Sequence, residues 1–388
     1  MNSLRTVLGV AVCVCSLIIP IVCNSETDAV GAEPTTNPPS APDWVRGKFN
    51  LLPPAWGLRG GLVFSVHPGG ARKMSKPAIQ SNLPSSGIPP ITPLATKNEE
   101  APRGLIRLFS PVLDGGKYDL INFIAVEPVV GGRRGLSELE LSRLDGVPGK
   151  RIWASGSVQP QMPVEPGKLT KPMPGVEKLE VVLRVERFDN GAHVYLVVTQ
   201  RSDAPEEIQL TIHTEPDSAP LQYCVLTATM GNKARTRLLW LKDEVKSSLQ
   251  LYPNYRGFDF APAEHVFPLE RLFRTVERGV IVAVTTNEQN PAAVFPFPGT
   301  RLWYYGGAKA TQYWRKPKGT FRDDLSAAVS ARYTYWRSKQ PIPGGIAFEN
   351  FEMREPFSEG QCFVFGISRR TPAELGFRAA DATGKVGK

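Results

Sequence analysis

"KLEVVLRVERFDNGAHVYLVVTQ", residues Lys178 to Gln200, decides the fold class. In its first half Leu179, Val181, Leu183 and Val185 alternate with Glu180, Arg184 and Glu186. Period two places the apolar set on one face of a strand and the charges on the other. Asp189-Asn190-Gly191 follows, residues that tolerate positive φ, so the chain turns and "AHVYLVVTQ" runs back. "SDAPEE" turns again before "IQLTIHT", and "EPDSAP" leads into "LQYCVLTAT". The spacing predicts four consecutive strands of an antiparallel meander.

Working outward, strand-like runs recur at "YDLINFIAVE", "RTRLLWLK", "GVIVAVTT", "RLWYYGG", "TQYWRK", "ARYTYWRS", "GIAFENFEM" and "QCFVFGIS". Helical periodicity is confined to short stretches near 241–249 and 371–376. The expected fold is all-β, a large antiparallel β-sandwich of super-sandwich type with few short helices. No repeat of fixed period is present, which argues against a propeller.

The N-terminus has the form of an export signal: Arg5, an apolar run from Val7 to Val22, then Val30-Gly31-Ala32 as a small-x-small cleavage pattern. That run is short for a membrane span. Residues 1–32 are therefore expected to be a signal peptide, and the mature chain to be exported, periplasmic or extracellular, with no transmembrane span. Residues 33–102 hold 13 of the 36 prolines and read as a partly disordered region, with a first strand near "GGLVFSVHPGG". Residues 103–377 are expected to form the sandwich domain and 378–388 a flexible tail.

The chain carries a formal charge of +9, and loss of Arg5, Glu26 and Asp28 with the signal leaves +10. An exported basic protein suits anionic envelope polymers or acidic polysaccharides, and export argues against nucleic acid. Of five cysteines, Cys224 and Cys362 lie beyond the signal. They would form one disulfide or pack as small hydrophobes. No zinc spacing, GxSxG, Walker loop, dinucleotide fingerprint, HExxH or EF-hand loop is present, so no metal or cofactor is expected.

Three groups of residues carry candidate chemistry. "INFIAVEPVVGGRRGLSELE", 121–140, reads as a central strand stopped by Pro128, then a loop with Arg133 and Arg134. Beyond it, Glu138 and Glu140 share one face if 136–152 is a hairpin, the favoured reading. In the alternative, Ser137 and Glu140 form the capping box of a short helix. Only the hairpin makes the pair a site; salt bridges to Arg133, Arg134 or Arg143 are the plain structural role. His193 and His213, on neighbouring strands, together with Glu127, Glu349 and Glu352, complete the acid/base candidates. The third group is aromatic and basic: Trp303, Tyr305, Tyr313, Trp314, Arg315, Tyr335, Trp336 and Arg337. Such rings stack on sugar C–H faces, while the cations pair with carboxylate or sulfate. Alternate aromatics of a strand also fill cores.

The segments "RGLIRLFSPVLDGGKYDLINFIAVEP", "RGLSELELSRLDGVPGKRIW" and "GGIAFENFEMREPFSEGQCFVFGI" resemble a family of uncharacterised exported bacterial proteins over roughly residues 50–377. The last segment is also similar to the ending of galactose-mutarotase-like super-sandwich domains. That resemblance implies a large β-super-sandwich with carbohydrate as ligand. It transfers no catalytic residue, because the histidine motif of the mutarotases has no match here. The expected function is binding of an acidic or sulfated glycan. The alternatives are a carbohydrate-active epimerase, lyase or glycosidase, and a structural envelope protein without a small ligand.

Overall fold

The computed structural model describes residues 55–66, 103–112, 114–116, 118–155, 167–229, 234–287, 309–336 and 339–377. The expected signal peptide, most of the proline-rich region, the tail, His67, Trp303, Tyr305 and Arg337 lie outside the described residues. The chain forms two antiparallel sheets and passes repeatedly between them.

β1 (Ala55–Gly57), β2 (Val63–Val66), β3 (Leu105–Ser110), β4 (Asp119–Val130) and β5 (Arg133–Arg134) begin the first sheet. β6 (Ile152–Ala154), β7 (Lys168–Met173), β8 (Val176–Val185), β9 (Val194–Arg201) and β10 (Glu207–Thr214) belong to the second. β11 (Tyr223–Thr229) returns to the first sheet, while β12 (Thr236–Trp240) and β13 (Val245–Ser247) join the second. A one-turn helix, α1 (Ser248–Leu251), starts on a capping box between Ser247 and Gln250. β14 (His265–Pro268) goes to the first sheet, and β15 (Phe273–Thr275), β16 (Gly279–Thr286) and β17 (Thr311–Lys316) to the second. β18 (Ser326–Arg332) and β19 (Ala347–Arg354) complete the first, and β20 (Cys362–Ser368) the second.

The first sheet runs β1-β2-β3-β4-β11-β19-β18-β14, with β5 on β4. The second runs β13-β12-β16-β17-β20-β10-β9-β8-β6, with β15 on β16 and β7 on β8. One apolar core fills the space between them, from Phe64, Ile106 and Ile124 on one side to Leu183, Leu196 and Trp314 on the other. Trp314 Nε1 donates to the Phe351 carbonyl at 2.8 Å, so an indole of the second sheet satisfies its polar atom on the first.

Several expectations need correction. β8, β9 and β10 form the predicted meander, but the fourth strand leaves it: β20 pairs with β10, and β11 pairs with β4 and β19. β11 buries Cys224, Val225, Leu226, Thr227 and Ala228 in succession, so it needs cover on both faces and sits mid-sheet. β4 does not stop at Pro128. The ladder to β11 continues, Pro128 opposite Cys224, and Gly135 N donates to the Pro128 carbonyl at 2.8 Å on the other side. That side lies past the end of β3, where the missing proline N–H breaks no bond. "ARYTYWRS" is mostly loop, the strand being the preceding β18. The first strand expected near "GGLVFSVHPGG" is β2, and Trp56, Leu58, Leu62, Phe64 and Val66 belong to the main core.

The stretch after β5 opens as a turn rather than a strand or helix, and its hairpin is reduced to a single bridge. Leu139 and Glu140 amides both donate to the Leu136 carbonyl, at 3.1 and 2.9 Å, forming a single turn. Leu141 and Pro148 then make an isolated bridge. Cys224 is a free thiol buried in the first sheet, whereas Cys362 lies in the second, so no disulfide joins them. Burial pushes the Cys224 thiol well above its ordinary range, with Glu127 adding to the effect. Among the described residues no helix is long and apolar enough to cross a membrane.

Candidate functional site

The outer face of the first sheet, the one turned away from the main core, gathers most of the chemistry. Glu127 on β4, Thr227 on β11 and Glu352 on β19 converge there with Arg134 of β5. Arg134 Nε donates to Glu127 Oε2 at 2.7 Å, and its Nη2 to Thr227 Oγ1 at 3.0 Å and Glu352 Oε2 at 2.9 Å. Thr227 Oγ1 lies 3.0 Å from Glu127 Oε2 and also bonds Glu352. Arg354 holds the far side of Glu352 and reaches Glu264, with Nη1 2.8 Å from Glu264 Oε2. Burial pushes the Glu127 carboxyl above its ordinary range, Arg134 opposes this, and Glu352 adds to it. Burial also works against the Arg134 guanidinium, but the two carboxylates more than offset it and keep it charged. Two acids that meet at one hydroxyl are a pattern of acid/base sites, yet both are occupied by arginines.

At the end of β18 the same face carries an aromatic and basic shelf. The Arg332 guanidinium lies between the rings of Phe260 and Trp336, 5.1 and 5.0 Å from their centroids. Its nitrogens donate to the Thr334 and Phe258 carbonyls at 3.4 and 2.6 Å. Lys339 sits over Phe258 at 6.0 Å, and Arg256 over Tyr333 at 5.0 Å. Phe258 is 58% exposed and Phe260 36%. None of Arg256, Arg332 and Lys339 forms an ion pair with a described carboxylate.

The predicted platform is largely dispersed. Trp314 and Tyr313 are 0% exposed and cannot stack on a ligand. Consecutive strand residues point to opposite faces. Trp314 therefore enters the main core, against Phe363 and Phe365. Tyr313 lies on the outer face of the second sheet, beneath Leu375 and Phe377. Its ring crosses Gly366, where an added Cβ would stand 2.1 Å from Cζ. Tyr313 Oη meets Glu207 Oε1 at 2.9 Å, and Arg315 and Arg278 pair with the same carboxylate. Burial alone would push Glu207 up; Arg315, then Arg278 and Tyr313, hold it below its ordinary range. Arg315 is thus a structural cation. Tyr335 is buried in a second core cluster with Phe123 and Ile342, and Trp336 packs half-buried against the same cluster.

The acid/base candidates are also separated. Glu140 is bound by the Leu136 amide at 3.1 Å, the Asp189 amide at 2.9 Å and Lys150 Nζ at 3.2 Å. Glu138 is half-buried in the turn, so the two do not share a strand face. Glu349 is buried at a bulge, where the register steps from Ser330 opposite Asn350 to Ala331 opposite Phe348. His193 and His213 are not directly opposite: His213 faces Tyr195, and the rings stack at 4.9 Å. His213 Nδ1 lies 2.7 Å from Glu359 Oε1, and His193 Nδ1 lies 2.6 Å from Asp217 Oδ1.

Phe258, Phe260, Arg332 and Thr227 were not among the sequence candidates. "GFDFAP" offered a signal, two aromatics spaced by two in a proline- and glycine-rich loop, but it has no strand period.

No protein-family model and no curated protein matches the chain. Among solved structures it is similar to the galactosidase domain of alpha-galactosidase-sucrose kinase, AgaSK, with a TM-score of 0.30 and 9% identity. The match covers 83% of this chain and 41% of that chain, so this chain spans less than half of its length. The all-β class rests on the strands themselves, and no functional argument rests on a likeness of this size.

Proposed function

We propose that this is an exported glycan-binding protein that takes an acidic or sulfated chain across the outer face of its first sheet. The observation that carries the reading is the shelf of exposed Phe258 and Phe260 and half-buried Trp336, with the exposed cations Arg256 and Lys339 beside it and Arg332 buried beneath the rings. Exposed rings suit sugar C–H faces, and cations without carboxylate partners suit sulfate or uronate. The positive formal charge of +9 and the signal-like N-terminus support an envelope or extracellular setting.

A binding screen on neutral, uronate-containing and sulfated oligosaccharides tests this. Binding of the charged glycans, weakened by salt and by Phe258→Ala with Phe260→Ala, is the expected result. No binding to any of them would favour a structural envelope protein. The paired carboxylates Glu127 and Glu352 favour one second reading, a carbohydrate-active enzyme. In that case, new reducing ends, unsaturated products or epimers would accompany binding and disappear in Glu127→Gln.

A further inference from the structure

We propose that Arg332 is the positioning residue of the glycan shelf, a buried guanidinium that sets the rings of Phe258, Phe260 and Trp336 without touching the ligand. This rests on the glycan reading above and names the side chain that builds the site before a sugar arrives. Two separate loops supply the shelf: 254–260 carries Phe258 and Phe260, and the stretch after β18 carries Trp336. Arg332, the last residue of β18, joins them. It is 3% exposed, and its guanidinium stands 5.1 Å from the Phe260 ring centroid and 5.0 Å from that of Trp336. Its Nη2 donates to the Phe258 carbonyl at 2.6 Å, and its backbone bridges to Phe260.

Three successive carbonyls of the first loop, those of Phe258, Asp259 and Phe260, are held from within. Thr334 Oγ1 is a second donor to Phe258, at 3.1 Å, and Tyr255 Oη lies 3.0 and 2.9 Å from the carbonyls of Asp259 and Phe260. Ala261 N closes the loop on the Ala331 carbonyl at 2.8 Å. The backbone is thus fixed while both phenylalanines stay exposed, the reverse of a loop that folds its rings inward. Rings ordered in advance spare a ligand the entropy of ordering them. A buried guanidinium that meets no described carboxylate is costly, and a methionine would fill the same space without burying a charge. What the guanidinium adds is a planar fork that takes two ring faces and two carbonyls at once.

Arg332→Lys and Arg332→Met are compared in the full chain by affinity for uronate oligosaccharides, by its salt dependence, and by amide hydrogen exchange without ligand. Both are expected to weaken binding about tenfold, the cost of ordering two or three side chains on association. The salt dependence should stay at the wild-type value, because no ligand contact is lost, whereas Arg256→Ala and Lys339→Ala should each reduce it. Exchange should quicken over 258–261 and leave both sheets unchanged. Thr334→Val, which keeps its shape, should weaken binding about threefold by the same route. Wild-type affinity in all three variants would overturn the positioning role and leave the glycan reading standing. A loss in Arg332→Met alone, with a reduced salt dependence, would also overturn it, because Arg332 would then be a ligand contact. Exchange that quickens throughout both sheets would do the same by making Arg332 a general stabiliser. If neither Arg332 variant folds, Thr334→Val decides on the same outcomes. A wild-type chain that binds no oligosaccharide would overturn the glycan reading itself, and the positioning role with it.

Discussion

Replacing Arg134 by Met should destabilise the protein strongly, and in a pH-dependent way. Arg134 is the shared partner of Glu127 and Glu352, whose side chains are 11% and 2% exposed. Removing one member of a fully buried ion network costs about 3–5 kcal/mol. The Arg134 side chain is 31% exposed, so water screens part of the interaction. The expected loss is therefore about 2–4 kcal/mol at pH 7.5. The sign with pH follows from Glu127, which is already raised above its ordinary 4.5 and rises further without the guanidinium. Between 4.5 and that raised value the folded state binds more protons than the unfolded chain, so stability falls as pH rises. Urea unfolding at pH 7.5 and pH 5 should show a smaller loss at pH 5. Adding Glu127→Gln should recover part of the loss at pH 7.5. A loss below about 1 kcal/mol, or one equal at both pH values, would refute a buried, charge-coupled carboxylate pair.

Lys316 and Glu355 form an ion pair between the two sheets, with side chains 0% and 2% exposed. Lys316→Met alone should cost about 3 kcal/mol in urea unfolding, while Lys316→Met with Glu355→Leu should lie within about 1 kcal/mol of wild type. Trp314→Ala should cost about 3–5 kcal/mol and leave the glycan affinity of the folded protein unchanged. Phe258→Ala with Phe260→Ala should do the reverse, changing stability by about 1 kcal/mol or less and removing binding on a glycan array. The Cys224 thiol should resist an aromatic disulfide reagent until denaturant unfolds the chain; rapid native-state labelling would contradict its burial.

The strands were legible because period two and runs apolar on both faces are local properties. Which strands become neighbours was not. "LQYCVLTAT" reads as one more meander strand from its turn signals, yet its unbroken burial was the sign of a mid-sheet position. The site was harder to read for a related reason. Tyr313 and Trp314 are adjacent on a strand, so at least one had to enter the core. That the other is also covered depends on Leu375 and Phe377, far along the chain. Arg134 read as a loop charge because Glu352, its main acidic partner with Glu127, is 218 residues away. The aromatic-basic composition of a binding surface was visible, but assigned to regular strands rather than to the loop carrying Phe258 and Phe260.

The two outer faces differ in a way that bears directly on where binding occurs. On the second sheet many polar groups are matched: Glu207 by Arg278 and Arg315, Glu206 by Arg370 and Ser368, Glu215 by Arg184, His213 by Glu359. A ligand there would have to break existing bonds before making its own. On the first sheet the exposed Arg256 and Lys339 form no ion pair with a described carboxylate. An anion at Arg256 and Lys339 would therefore displace no carboxylate. It follows that His213→Ala, made on the matched face, should loosen the turn held through Glu359 and lower the thermal midpoint without changing oligosaccharide affinity. A selective loss of affinity in that variant would move the site to the second sheet.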